Sequence, residues 1–139
     1  MGFTVADEIP AVDELVELYR AVGWTVYAAD PARLLAAVRA SHTVLTARSE
    51  TGTLIGLLRT VSDGLTIVYI QDILIAPFQQ RAGIGGTLLD AVIARTDGIR
   101  QMVLLTDDEA AQRAFYESRG FTEAHDIAPN PLRSFVLLR

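Results

Sequence analysis

Apolar positions along this chain follow two rhythms, and their alternation predicts the architecture. Residues 3–6 form a short strand. From 11 to 22 the apolar residues Val12, Leu15, Val16 and Tyr19 fall three and four apart, the spacing of one helix face. Asp30-Pro31 supplies a side-chain cap and then a first-turn proline, which predicts a second helix over 32–40. Residues 43–49 and 54–61 read as strands joined at Thr51-Gly52, a hairpin signal. Asp63-Gly64 makes a tight turn into a strand over 66–75. Three antiparallel strands therefore follow one another.

The third of them runs through Ile73, Leu74 and Ile75 and is stopped by Pro77. A polar loop (Gln79, Gln80, Arg81) leads to Gly83, Gly85 and Gly86, which open a helix to about Arg95 with Ile84, Leu88, Leu89, Val92 and Ile93 on its buried face. Asp97-Gly98 ends that helix, and 101–105 is a short buried strand. Thr106 followed by Glu109 matches a capping box, which predicts a helix through about Ser118 with Gly120 just past its end. Residues 121–125 and 134–138 read as two final strands. The order βααβββαβαββ describes an α/β fold, a mixed sheet with helices on both faces. A strand–helix–strand unit makes 66–75 and 101–105 a parallel pair.

Composition narrows the function. A chain of 139 residues, half of them hydrophobic, suits one domain, 1–139, around a single core. The absence of cysteine excludes disulfides, thiolate metal sites and a cysteine nucleophile. His42 and His125 lack metal-ligand spacing, so no metal is expected. No apolar run approaches the ~20 residues that cross a bilayer. The first five residues lack the basic start and apolar stretch of a signal peptide. No membrane association and a cytoplasmic location are expected. A formal charge of −5 disfavours nucleic acid as a partner and is mildly compatible with a cationic amine.

Strand, glycine turn and helix start together make an anion site. First-turn N–H groups lack intrahelical partners, the dipole puts partial positive charge there, and glycines admit a bulky phosphate. A Walker loop needs a lysine before Thr87, where Gly86 stands, and a dinucleotide fingerprint needs glycine where Leu88 stands. What fits is Gln-x-x-Gly-x-Gly at Gln80, Gly83 and Gly85, which resembles the acetyl-coenzyme A pyrophosphate loop of the GNAT family of N-acetyltransferases. Phe115-Tyr116 followed by Gly120-Phe121 resembles that family's closing motif. Gln71-Asp72-Ile73-Leu74-Ile75 resembles the corresponding strand of serotonin-acetyltransferase-like members in bacteria and plants.

The resemblance spans nearly the whole chain and implies the GNAT fold, with parallel strands 4 and 5 splayed apart. It implies acetyl-coenzyme A as co-substrate, held by Ile73, Leu74 and Ile75, by Gln80, Arg81, Ala82, Gly83, Ile84, Gly85, Gly86 and Thr87, and by Phe115. Tyr116 takes the general acid's place. Where the family often has a cofactor-contacting asparagine, this chain has Glu109, whose place beside Asp107 and Asp108 is explained by capping and dipole complementarity.

A lysine-like amine has a pKa of ~10.4 and must lose a proton before it attacks. Asp72, flanked by apolar residues, is either the carboxylate that takes this proton or a partly exposed strand residue bonded to a backbone N–H or an arginine. Trp24 and Tyr27 either wall an acceptor pocket or pack helices, and His125 falls on the sixth strand. The expected activity is acetyl transfer to a primary amine, small molecule or lysine, through a ternary complex. An acyl-coenzyme A sensor that has lost turnover is the alternative, and a homodimer stays open.

Overall fold

The computed structural model describes residues 2–80 and 82–139. It divides into one unit ending at Leu105 and a second covering Thr106–Arg139.

In the first unit the strand signals condense into one sheet. Strands β1 (Phe3–Asp7), β2 (Thr43–Ser49), β3 (Leu54–Ser62) and β4 (Ile67–Ile75) are successive antiparallel neighbours, and β5 (Gln101–Leu104) joins β4 in parallel. Helices α1 (Val12–Ala21), α2 (Thr25–Ala28) and α3 (Pro31–Arg39) separate the first two strands, and α4 (Ile84–Arg95) makes the β4–β5 crossover. Leu15, Leu18 and Tyr19 of α1 and Leu34 and Val38 of α3 pack with Val44, Leu57 and Leu74 into a buried cluster. Side chains alternate across a strand, so Ile75, one residue after Leu74, and Gly56, one before Leu57, face the other way. There Ile84 of α4 lies over Gly56. The sheet is thus covered on both faces.

Local chemistry sets the boundaries. Asp30 Oδ1 accepts the Arg33 N–H at 3.2 Å and caps α3, with Pro31 in the first turn. Gly52 at φ +86° closes the β2–β3 hairpin. In the next turn Asp63 Oδ1 accepts the N–H groups of Leu65 and Thr66, each at 2.8 Å, while Gly64 takes φ +78°. The single turn of α2 is absent from the sequence reading; four residues with a β-branched pair carry no usable period.

Two features of β4 matter for the site. Arg59 pairs with Asp72 and Thr60 with Ile70, so Gln71 is an extra residue, a bulge that twists and redirects the strand. The parallel pairing with β5 ends at Ile70↔Leu104. From Gln71 to Ile75 the strand continues with β3 on one side and no β5 on the other.

The second unit differs from its sequence reading. Helix α5 (Ala110–Glu117) is capped at Glu109 rather than Thr106, with no side-chain cap bond; Glu109 donates its N–H to Asp107 Oδ1 at 3.3 Å instead. The competing Asx turn replaces the capping box. At the far end Gly120, at φ +91°, allows Phe121 N–H to reach Tyr116 O at 3.2 Å and its own N–H to reach Glu117 O at 3.1 Å, a Schellman closure. The two expected last strands, 121–125 and 134–138, do not form. Residues Ala124–Asp126 make a 3₁₀ turn, and 127–139 join no ladder. The cause at the turn is Arg113, which ion-pairs with Glu123 and, at 2.7 Å, with Asp126. Residues three apart share a face in a 3₁₀ turn but point oppositely in a strand.

Candidate functional site

The glycine loop puts an open helix start at the end of β4. Gly83 is the N-cap of α4 in the left-handed region, φ +83°, where a side chain is strained. A Cβ at this position would meet no atom of the described residues within 4 Å beyond its chain neighbours. Ile84, 1% exposed, anchors the first turn against the sheet. No side chain caps Gly83 among the described residues. The N–H groups of Ile84, Gly85 and Gly86 lie in the first turn, ahead of Thr87, whose N–H is the first to reach back to Gly83 O, at 3.0 Å. Thr87 also donates its hydroxyl to that carbonyl at 3.0 Å, so its proton is committed to the helix. The 3₁₀ turn Pro77–Gln79 leads in, Ala82 donates its N–H to Gln79 O at 3.4 Å, and exposed Gln80 reaches Ile75 O with its amide at 3.5 Å. Arg81 lies outside the described residues.

Upstream of the loop the unpaired edge of β4 has a definite polarity. Ala76 donates its N–H to Ile55 O across β3 at 2.8 Å. Backbone groups alternate sides along a strand, so Leu74 also addresses β3, whereas Ile73 and Ile75 turn theirs to the side that β5 has vacated. Of the three residues expected to line this edge, Leu74 presents neither backbone nor side chain to it; its side chain is in the α1–α3 core. A short row of free donors thus leads to an uncapped helix start. These are the fittings of an extended, phosphate-ended ligand: a polar arm that adds like a strand, and a pyrophosphate on first-turn N–H groups. The residues present fit acyl-coenzyme A.

Asp72 sits on the other face of β4, 4% exposed. Its Oδ2 accepts Arg59 Nε at 2.5 Å and the Tyr19 hydroxyl at 2.7 Å. The sequence offered a partly exposed residue with an arginine or N–H partner; the arginine is there and the exposure is not. Burial works against the Arg59 cation, but the Asp72 carboxylate outweighs it and the guanidinium is held above its ordinary value. Burial first, and then Asp72, push the Tyr19 phenol far up, so it stays a donor. Tyr19 also meets Trp24 and Tyr27 edge-on, with centroids 5.9 and 6.2 Å away. Both outer rings keep substantial exposure, so they pack on the helix pair while presenting a face to solvent. Arg59, the Gln71 bulge and Gly56 escaped the sequence reading, and Tyr19 entered it only as part of an apolar helix face. Only Gly56 carried a signal there, a glycine inside an apolar strand.

In the second unit Tyr116 is buried between Phe115 and Phe121, with ring centroids 5.0 and 5.7 Å away, both edge-on. The guanidinium of Arg119 lies over Phe115 at 4.8 Å. Burial, and then the negative charge of Asp107, raise the Tyr116 phenol above its ordinary value. It keeps its proton at neutral pH. His125 lies in the exposed 3₁₀ turn, its Nε2 3.3 Å from Asp126, and not on a strand. Among the described residues no helix is long and apolar enough to cross a membrane.

The geometry agrees with what the chain resembles. Residues 9–121 match the model of the acetyltransferase (GNAT) family. A GNAT-family acetyltransferase from Streptococcus pneumoniae superposes with a TM-score of 0.83 at 26% identity, covering 99% of this chain and 98% of that one. A putative acetyltransferase from Deinococcus radiodurans gives 0.78 at 20% identity, over 99% and 88% of the two chains. The ribosomal-protein-S18-alanine N-acetyltransferase of Escherichia coli gives 0.70 at 20% identity, over 88% and 79%. No curated protein sequence matches at a significant level. With the mixed sheet, its parallel β4–β5 pair and a family match across most of its length, the chain belongs to the GNAT family of acetyltransferases.

Proposed function

We propose that this protein transfers the acetyl group of acetyl-coenzyme A to a primary amine by direct attack in a ternary complex. The observation that carries this is the vacated edge of β4 running into the uncapped glycine start of α4. Ile84, Gly85 and Gly86 hold the pyrophosphate through backbone N–H groups. Ile73 and Ile75 hold the polar arm, and their donors polarise the acyl carbonyl; one such preorganised donor is worth ~3 kcal/mol of barrier in other enzymes. The bound co-substrate supplies an activated thioester. Tyr116 keeps its proton at neutral pH and gives it to the leaving sulfur. Asp72, with Arg59 and Tyr19 already on one oxygen, holds β4 in place, and the proton of the attacking amine goes to water. No covalent intermediate on the protein is required, in keeping with a chain that lacks cysteine.

Thiol release from acetyl-coenzyme A across a panel of arylalkylamines, polyamines, amino sugars and lysine peptides tests this. The expected result is amine-dependent release for at least one class. The committed state of Asp72 also favours a second reading, an acyl-coenzyme A sensor without turnover. Tight binding with no release across the panel would select it.

A further inference from the structure

Phe78 is 99% exposed, more than any other large apolar side chain described in the first unit. A lone apolar side chain in water is ordinary on a protein surface and carries no message by itself. The mounting and the place of this one are what count. Ala76 is tied to β3 through its N–H on Ile55 O, at 2.8 Å, and Gln79 N–H closes the turn on Ala76 O, also at 2.8 Å. Pro77 fixes φ at the start of the same turn. The backbone on both sides of Phe78 is thus anchored, while the ring itself stands in water.

The loop then folds back towards the helix start. Gln80 reaches Ile75 O with its amide at 3.5 Å, and Ala82 donates its N–H to Gln79 O at 3.4 Å. The turn that carries Phe78 therefore adjoins the residues that lead into Gly83. Thr87 commits its hydroxyl to Gly83 O at 3.0 Å. Gln80 and Thr87 turn their donors inward, and the aromatic ring faces out. A polar side chain beside a phosphate cradle has an evident use. A phenylalanine has one only if the ligand carries an apolar surface next to its phosphates.

Coenzyme A has such a surface. Its thioester arm follows the edge of β4 and its pyrophosphate takes the first-turn N–H groups of α4. Beyond the pyrophosphate come a phosphorylated ribose and adenine, the part that edge and helix start leave uncovered. Adenine is flat, and any base can stack its π-face on an aromatic side chain. A rigidly mounted ring offers that contact with little ordering left to do.

We propose that Phe78 is the platform on which the adenine ring of acyl-coenzyme A stacks. This rests on the acyl-coenzyme A reading of the β4 edge and the α4 start, and adds to it a contact for the nucleotide end. The contact acts on binding and touches no reacting atom.

Calorimetry with two ligands tests it. Acetyl-coenzyme A carries the adenosine, and S-acetyl-4′-phosphopantetheine lacks it. Wild type is expected to prefer the former, and Phe78→Ala to shrink that preference roughly fivefold or more, since one stacked base is worth about 5- to 150-fold in affinity. Phe78→Trp, which keeps a ring, is expected to retain the preference. In proton spectra of bound acetyl-coenzyme A, adenine H2 and H8 are expected to move upfield with wild type and not with Phe78→Leu. A preference that Phe78→Ala leaves intact, or adenine protons unmoved by wild type, would overturn the platform alone. Failure of both ligands to bind wild type would overturn it together with the reading beneath it.

Discussion

Arg59 and Asp72 face each other in register across β3 and β4, Nε to Oδ2 at 2.5 Å, immediately past the bulge at Gln71. Both are buried, with side chains 8% and 3% exposed. The pair therefore clamps β4 at the point where its edge becomes free. Removing one partner leaves an uncompensated buried charge, which costs about 3–5 kcal/mol, whereas replacing both by apolar residues of similar volume is often neutral. Arg59→Met is expected to lower stability by that amount in denaturant titration, and Arg59→Met with Asp72→Leu to regain most of it. For catalysis, Asp72→Asn is expected to lower kcat/KM by one factor from pH 7 to pH 10. A defect that vanishes at high pH would instead make Asp72 the base.

Tyr116→Phe removes a proton donor and little else, since the ring contacts with Phe115 and Phe121 remain. Turnover is expected to fall ~10²-fold or more, with acetyl-coenzyme A affinity nearly unchanged. The raised phenol is protonated, and so competent, below its folded pKa and loses its proton only above it. Any loss of kcat due to Tyr116 is therefore expected above the ordinary tyrosine value of ~10. A fall near neutral pH that is abolished in Tyr116→Phe would contradict this.

Acid stability centres on Arg48, which holds Glu8 at 2.6 Å and Glu14 at 2.5 Å. The Thr46 hydroxyl and then Arg48 lower Glu8, and Arg48 lowers Glu14. Carboxyls lowered in the folded state stabilise it above the unfolded value of ~4.3, and this is lost as pH falls through the lower folded values. Wild type is expected to lose melting temperature below about pH 4.3 more steeply than Arg48→Met. Parallel curves would remove the cluster from this role.

Gly56 positions the helix start. A Cβ there would lie 3.0 Å from Ile84 Cγ2 and 3.1 Å from Ile75 Cδ1, so Gly56→Ala crowds the side chain that seats the first turn of α4 on the sheet. Overpacking of this kind costs about 1–3 kcal/mol. The expected signature is a raised KM for acetyl-coenzyme A in a folded protein, partly reversed by Ile84→Ala. An unchanged KM would mean that the helix start tolerates displacement.

Most of the sheet was legible because apolar alternation and Gly turns at 52 and 64 act locally. The glycine loop was legible because Gly83 needs its positive φ whatever surrounds it. What escaped depends on partners distant in sequence. Asp72 shows its apolar flanks but not Tyr19, 53 residues away, or Arg59, 13 away. The bulge at Gln71 is a register event between two strands and leaves no mark on either alone. Residues 121–125 have strand-like ends at Phe121, but Arg113 recruits Glu123 and Asp126 and winds them into a turn. The 134–138 pattern is strand-like, yet among the described residues it joins no ladder.

The backbone amides themselves give the most direct measurement. In ¹⁵N-labelled protein titrated with acetyl-coenzyme A, the N–H signals of Ile73, Ile75, Ile84, Gly85 and Gly86 are expected to move most at saturation. Leu74, whose N–H addresses β3, is expected to move much less. Equal shifts with ATP or NAD, or shifts that leave those five amides in place, would contradict the assignment of this edge and loop to acyl-coenzyme A.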